Sequence, residues 1–302
     1  MKIKKIEIIL LLILTTTVLS YGQEDYAFKV LVNKGKNEIK VGNDWQLVKT
    51  GASLKSADEL KVSENSYVGL ISTKGKPLEL KEAGNYKVVD LAAKLNGGSS
   101  VLNKYTDFIL SANTQKKNSL TATGAVHRGV DKIKINLPKP EFSVVFNNIV
   151  IVNWETDKAP APYNILFSSM FGDELKKVET SENNVTIDLS EASFSNEDNI
   201  IVKVSSKADP NKVSEEYTLK RLSRADSDRI KNSLNEIKGQ VSDENALNKL
   251  VLAGFYELNS LFVDAITCYQ QAIKLAPDIV AFKEEYNNFL LRNEIKEPSV
   301  KK

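Results

Sequence analysis

Between Tyr26 and about Leu110, apolar residues recur every second position or in short β-branched runs that Gly and Asn interrupt. An example is Phe28-Lys29-Val30-Leu31-Val32 ahead of Asn33-Lys34-Gly35. That pattern predicts short strands. Further runs fall at 38–41, 46–49, 59–62, 67–72, 78–81 and 86–91, with turn clusters at 42–44, 73–76 and 83–85 between them. A helix is expected over 95–110, and residues 111–136 read as a polar linker. A second strand-rich stretch occupies 137–222, with seven runs at 142–146, 149–154, 163–167, 176–179, 184–189, 200–205 and 216–220.

After Ser223 the period lengthens to that of a helix, with Ile230, Leu234 and Ile237 on one face of 226–238. Gly239 ends that helix, and Ser242-Asp243-Glu244 opens the next with carboxylates suited to a helix N-terminus. A last amphipathic stretch runs over 278–292 with Ile279, Phe282, Tyr286, Phe289 and Leu290 apolar. The expected architecture is multidomain β plus α. It starts with a small antiparallel barrel or sandwich (23–110). The linker (111–136) leads to an immunoglobulin-like sandwich (137–222), a short helical repeat domain (223–296) and a tail (297–302).

The first 22 residues do not fit this pattern. Lys2, Lys4 and Lys5 precede a short apolar stretch from Ile8 to Leu14, and small residues at Ser20 and Gly22 suit cleavage before Gln23. This is the layout of a secretory signal peptide, too short to span a bilayer. No Cys lies at the cleavage point to take a lipid. The expectation is therefore an exported chain, periplasmic or secreted, with no transmembrane anchor after cleavage.

Composition narrows the function. At 42% hydrophobic and 26% charged, the 302 residues resemble an average globular protein. The formal charge is +2. Removing the leader takes away three lysines and one glutamate, which leaves a neutral chain with no basic excess to hold nucleic acid. One Cys and one His exclude a disulfide framework and Cys/His zinc sites. His127, in Gly124-Ala125-Val126-His127-Arg128-Gly129, reads as a loop residue. Cys268, with no flanking His or Lys, reads as an inert packing thiol. The pairs Asp173-Glu174, Glu197-Asp198 and Glu284-Glu285 read as solvated turns or helix faces. Asn96-Gly97-Gly98-Ser99-Ser100 lacks the lysine of a phosphate loop. No catalytic residue, metal site or cofactor is expected, and the chain reads as a non-enzyme.

Three resemblances sharpen this picture. Gly51-Ala52-Ser53-Leu54 through Asp58-Glu59-Leu60, then Tyr67-Val68-Gly69-Leu70 and Gly75-Lys76-Pro77-Leu78-Glu79-Leu80, resemble the β domain of FecR-like envelope proteins. Residues 149–155, the turn with Pro160 and Pro162, and Tyr163-Asn164-Ile165-Leu166-Phe167 resemble fibronectin type III domains. That resemblance implies that Trp154 and Tyr163 anchor the core between the sheets, with Ile200 at the place of the family's corner tyrosine. Leu252, Ala253, Tyr256, Ala265, Tyr269, Ala272 and Pro277 fall at the intervals of a tetratricopeptide repeat, with Lys249 at the missing first aromatic.

The repeat resemblance implies a helix pair, with neighbouring helices on both sides, that exposes a groove lined by Leu247, Leu250, Gly254, Glu257 and Leu258. The function expected is a scaffold of a bacterial cell envelope that docks other envelope proteins or peptides in this groove. The alternative is an envelope sensor that reads a glycan or small molecule through the N-terminal β domain, near Trp45 or Tyr67.

Overall fold

The computed structural model describes residues 26–95, 100–115, 132–157, 159–239, 241 and 245–297. The leader, His127 and the helix start at 242–244 lie outside them. Eight strands build the N-terminal unit: β1 (Phe28–Lys34), β2 (Glu38–Val41), β3 (Asp44–Leu47), β4 (Ser53–Leu54), β5 (Glu59–Val62), β6 (Tyr67–Ser72), β7 (Pro77–Leu80) and β8 (Gly84–Lys87). They form two antiparallel sheets, ordered β4-β1-β6-β7 and β3-β2-β5-β8. The unit is a sandwich rather than a closed barrel. Phe28, Val30, Leu54, Leu60, Val68 and Leu70 fill the space between the sheets.

The run expected as a strand at 86–91 ends early. From Val88 the chain turns into helix α1 (Val88–Lys94), because Val88 and Leu91, three apart, then both enter the sandwich core. The Val88 amide donates to the Asp58 carbonyl at 3.0 Å.

Strand β6 is buried on both faces along its whole length. Val68 and Leu70 face the sandwich, while Tyr67 and Gly69 face the helices. The register of β1 on β6 shifts between Val30 and Val32, and Leu31 and Val32 join the helical side. A strand apolar on both faces needs a third layer to cover it.

The second unit has seven strands: β9 (Val144–Val145), β10 (Ile149–Asn153), β11 (Tyr163–Ser168), β12 (Glu174–Thr180), β13 (Asn184–Asp188), β14 (Asn199–Ser206) and β15 (Tyr217–Arg221). A five-stranded sheet ordered β12-β11-β14-β15-β9 faces the pair β10-β13. Only β9 on β15 is parallel. Trp154 and Tyr163 are buried and meet edge to face at 5.3 Å. The Tyr163 hydroxyl donates to the Ala159 carbonyl at 2.7 Å. Ile200 is fully buried.

Helix α2 (Asn103–Gln115) begins later than the 95–110 expected, and it lies against the C-terminal helices as well as the sandwich. Asn103 Nδ2 donates to the Thr73 carbonyl at 2.8 Å and Lys29 pairs with Asp107 at 3.0 Å. The described end of the expected linker also packs, with Ile133 and Ile135 both buried. Ile135 bridges to Trp154. Alternate apolar residues made that stretch adhesive despite its polar neighbours.

The C-terminal helices are α3 (Arg224–Lys238), α4 (Ala246–Leu258), α5 (Phe262–Leu275) and α6 (Val280–Arg292). Ser223 caps α3 by accepting from the Asp226 amide, and Asn245 caps α4 by accepting from Asn248 at 2.8 Å. Leu252, Ala253, Tyr256, Ala265, Tyr269 and Ala272 are buried, and Pro277 follows Ala276, the C-cap of α5. None of the described helices is long and apolar enough to cross a membrane.

These helices form the middle of the molecule. One continuous core joins Tyr67 of the first sandwich, Tyr105 of α2, Phe255 and Phe282 of the helices, and Trp154 of the second sandwich. Polar contacts secure both seams. On one side Glu79 Oε1 accepts from the Tyr67 hydroxyl and from the Leu247 amide, each at 2.8 Å, so that β7 supplies a carboxylate to the first turn of α4. On the other, Thr267 Oγ1 accepts from the Ile151 amide at 3.1 Å, and the Tyr286 hydroxyl donates to Asn153 Oδ1 at 2.8 Å.

Candidate functional site

Leu247, Leu250, Gly254, Glu257 and Leu258, expected to line an open groove, meet a different environment. Leu247, Leu250 and Gly254 are buried, Glu257 is 5% exposed, and only Leu258 faces solvent. The chain itself covers that face. A Cβ built on Gly254 would lie 2.9 Å from Ile109 Cδ1 and 3.2 Å from the Tyr105 carbonyl oxygen, so α2 crosses α4 at near backbone contact. A Cβ on Gly69 would lie 2.9 Å from Leu247 Cδ1. The repeat resemblance implied that this face stays open as a groove, and it does not, because α2 and β6 from earlier in the chain cover it.

Glu257 is the hub of a buried polar cluster. Arg292 forks onto both of its oxygens, Asn293 Nδ2 donates to Oε1 at 2.7 Å, and the Tyr269 hydroxyl donates to Oε2 at 3.3 Å. The guanidinium also lies over the rings of Phe108 and Phe289, 5.8 Å from each centroid. Burial alone would lower the Arg292 pKa, and its bonds to Glu257 more than reverse this, so it stays charged. Burial, then the nearby Glu257 charge, raises the Tyr269 hydroxyl well above its ordinary value, so it is a fixed donor. This cluster joins α4, α5 and α6, which is a structural role.

The open part of the helical unit lies elsewhere. A cleft of about 460 Å³ separates α3, α4 and α5 from the turn between β9 and β10. Buried Leu234, Leu252 and Tyr256 form its floor, and the exposed Ile149 and Lys231 and the half-buried Lys249 also line it. No Asp or Glu lines it among the described residues. Cys268 and Thr267 reach its inner wall. Cys268 is 5% exposed, as a packing thiol would be.

The turn beside this cleft is held by a residue the sequence did not single out. Asp264, in the first turn of α5, accepts from the amides of Phe146 and Asn147 at 2.9 and 2.8 Å and from Asn147 Nδ2 at 2.7 Å. A carboxylate in a helical first turn is ordinarily a solvated dipole partner. Here burial pushes its pKa up to about 6, and the three donors offset only part of that shift.

A raised native pKa means that the folded chain binds a proton that the unfolded chain, with its carboxyl near 3.8, has released. The stability contributed by this group is therefore present below pH 4, lost as pH rises through 6, and level above. Across that window Asp264→Asn should gain on wild type by on the order of 3 kcal/mol. Urea unfolding of both proteins at pH 4, 5, 6 and 7 checks this, and a constant difference between them would contradict it.

In the N-terminal sandwich the two aromatic residues singled out for a sensor role differ. Tyr67 is 1% exposed and its hydroxyl is bonded to Glu79, so it cannot meet a ligand. Burial, reinforced by the Glu79 charge, raises its pKa. Trp45 lies on the edge strand β3 with Leu47, both exposed, and Lys61 Nζ stands 5.7 Å from the Trp45 ring centre. No group of three or more metal-ligating side chains occurs among the described residues.

The fold and these sites define a β plus α protein of two sandwiches braced by helices. No protein-family model matches the chain, and no curated protein matches it.

Proposed function

We propose that this chain is a non-enzymatic interaction protein of a bacterial cell envelope, exported by its leader, that docks partner proteins on its helical unit. The observation that supports this reading is the lysine-lined cleft. It is concave, apolar at its floor, and built from three helices and a turn that Asp264 holds in place. The groove first expected along Leu247, Leu250 and Gly254 is taken by α2 and β6, so the docking role passes to the cleft. A segment that suits it carries an apolar side chain for the floor and a carboxylate for the exposed Lys231.

The second reading, a sensor for a glycan through the N-terminal sandwich, has the exposed Trp45 in its favour, because a flat ring on a sheet edge offers a stacking face to a sugar.

The test is capture of partners by the exported chain from an envelope fraction, compared between two variants. Ile149 is 41% exposed at the cleft and can be changed to Asp without emptying the core. Ile149→Asp should lower capture about tenfold, the scale of losing a buried apolar anchor, and Trp45→Ala should leave it unchanged. The opposite pattern supports the glycan reading and rejects docking at the cleft.

A further inference from the structure

A hollow of about 580 Å³ opens where the second sandwich meets α5 and α6, and none of its residues belongs to the docking cleft. Ligand sites favour such seams between packed units. Its wall carries the carboxamides of Asn136, Asn153, Asn183, Gln270 and Asn287. Its two cations are already engaged, Lys296 with Glu155 at 3.2 Å and Lys134 with Glu297 at 3.5 Å. The exposed Asp157 adds a further negative charge, so the hollow does not suit an anion. Leu290 and Trp154 in its wall are buried, which leaves little apolar surface to cover.

Asn153 shows that the wall is set up to bond. It is 3% exposed, and its Oδ1 accepts from Asn136 Nδ2 at 2.7 Å and from the Tyr286 hydroxyl at 2.8 Å. Asn136 and Tyr286 also line the hollow, so these two bonds fix the amide at its inner wall. Asn153 Nδ2 has no partner among the described residues. A buried donor without an acceptor costs stability, and a ligand oxygen that accepts from it removes the cost.

A carboxamide carries an acceptor oxygen, two donor hydrogens and no charge. Five of them match a ligand whose groups each donate and accept and carry no charge, which is the pattern of sugar hydroxyls. A second hollow of about 390 Å³ continues the first and shares Lys134, Asn136, Glu155, Lys296 and Glu297 with it. The half-buried ring of Tyr217 stands in its wall. An aromatic face suits the C–H face of a sugar ring, and two joined hollows suit a chain of rings.

We infer that the joined hollows bind a neutral oligosaccharide. The carboxamides meet its hydroxyls, Asn153 Nδ2 donates to an oxygen at the inner wall, and Tyr217 lies against a ring. This site is separate from the docking cleft on the helices and from Trp45 in the first sandwich.

Retention of the exported chain on an array of immobilised neutral and acidic oligosaccharides, read by antibody, tests this. At least one neutral glycan is expected to hold wild type, and acidic glycans to hold it no better. Asn183→Ala and Asn287→Ala should each weaken binding about three- to tenfold, the scale of a lost hydrogen bond. Both side chains are exposed, and circular dichroism confirms the fold of each variant. Trp45→Ala and Ile149→Asp should leave glycan binding as in wild type.

Wild type held by no neutral glycan overturns the inference. So does retention that acidic glycans alone produce, or that both asparagine substitutions leave intact. Binding lost with Trp45→Ala but kept with Asn183→Ala and Asn287→Ala also overturns it and moves the site to the first sandwich. Docking at the cleft is tested separately, by partner capture with Ile149→Asp, and stands or falls without this site.

Discussion

Replacing Glu257 by alanine is expected to lower the unfolding free energy by about 3 to 5 kcal/mol, because it leaves a buried guanidinium without its counter-charge. Arg292 keeps only 16% of its side chain exposed and Glu257 only 3%. Asn293 Nδ2 and the Tyr269 hydroxyl lose an acceptor in the same step. The effect is a loss of folding, not of partner capture, since Glu257 presents nothing to solvent. The double replacement Glu257→Met with Arg292→Met should recover most of the loss, as apolar pairs of similar volume usually substitute for buried ion pairs. Urea unfolding followed by far-ultraviolet circular dichroism measures all three proteins. A cost within about 0.5 kcal/mol for Glu257→Ala, the range of a surface change, would mean that the charge faces water.

Phe282→Ala is expected to cost about 3 to 5 kcal/mol, the range for emptying a buried aromatic site. It should destabilise the whole molecule together. Phe282 is fully buried on α6 and meets Tyr67 of β6 edge to face at 5.9 Å, so it ties the last helix to the first sandwich. The two tryptophans allow each sandwich to be followed separately, Trp45 in the first and Trp154 in the second. With Trp45→Phe or Trp154→Phe as background, the remaining tryptophan and circular dichroism should report one coincident transition, shifted equally by Phe282→Ala. Two separated transitions would show that the sandwiches unfold independently of the helices. The continuous core through Tyr67, Phe255 and Trp154 is the reason to expect one. For the same reason, cutting the chain at Leu222 would strip the covering layer from β6 and is a poor way to isolate the sandwiches.

Local pattern carried a large part of the fold. Strands β2, β5 and β6 occur where the alternation and turn residues put them, since a half-buried strand writes its period into four to six residues. The helical period after Ser223, the serine cap and the small residues between α4 and α5 are equally local. At Val88 to Leu91 the two adjacent valines favour a strand on local propensity. Tertiary contact decided otherwise, as the helical spacing puts Val88 and Leu91 into one core.

The site was harder to read, because the repeat spacing tells which face of a helix is apolar and says nothing of what covers it. By itself the sequence determined the β-then-α order, the short strands, the helix pair with its alanine contacts, the Trp154 and Tyr163 anchors and the exclusion of disulfides. Tertiary structure alone decided that α2 and β6 fill the face of Leu247 and Gly254. It also decided that Glu257 pairs with Arg292 35 positions away, and that Asp264 turns inward to hold Asn147. The physical reason is range: periodicity and capping act over one or two turns of chain. Whether an apolar face or a carboxylate ends in water or in a core depends on segments that only folding brings beside it.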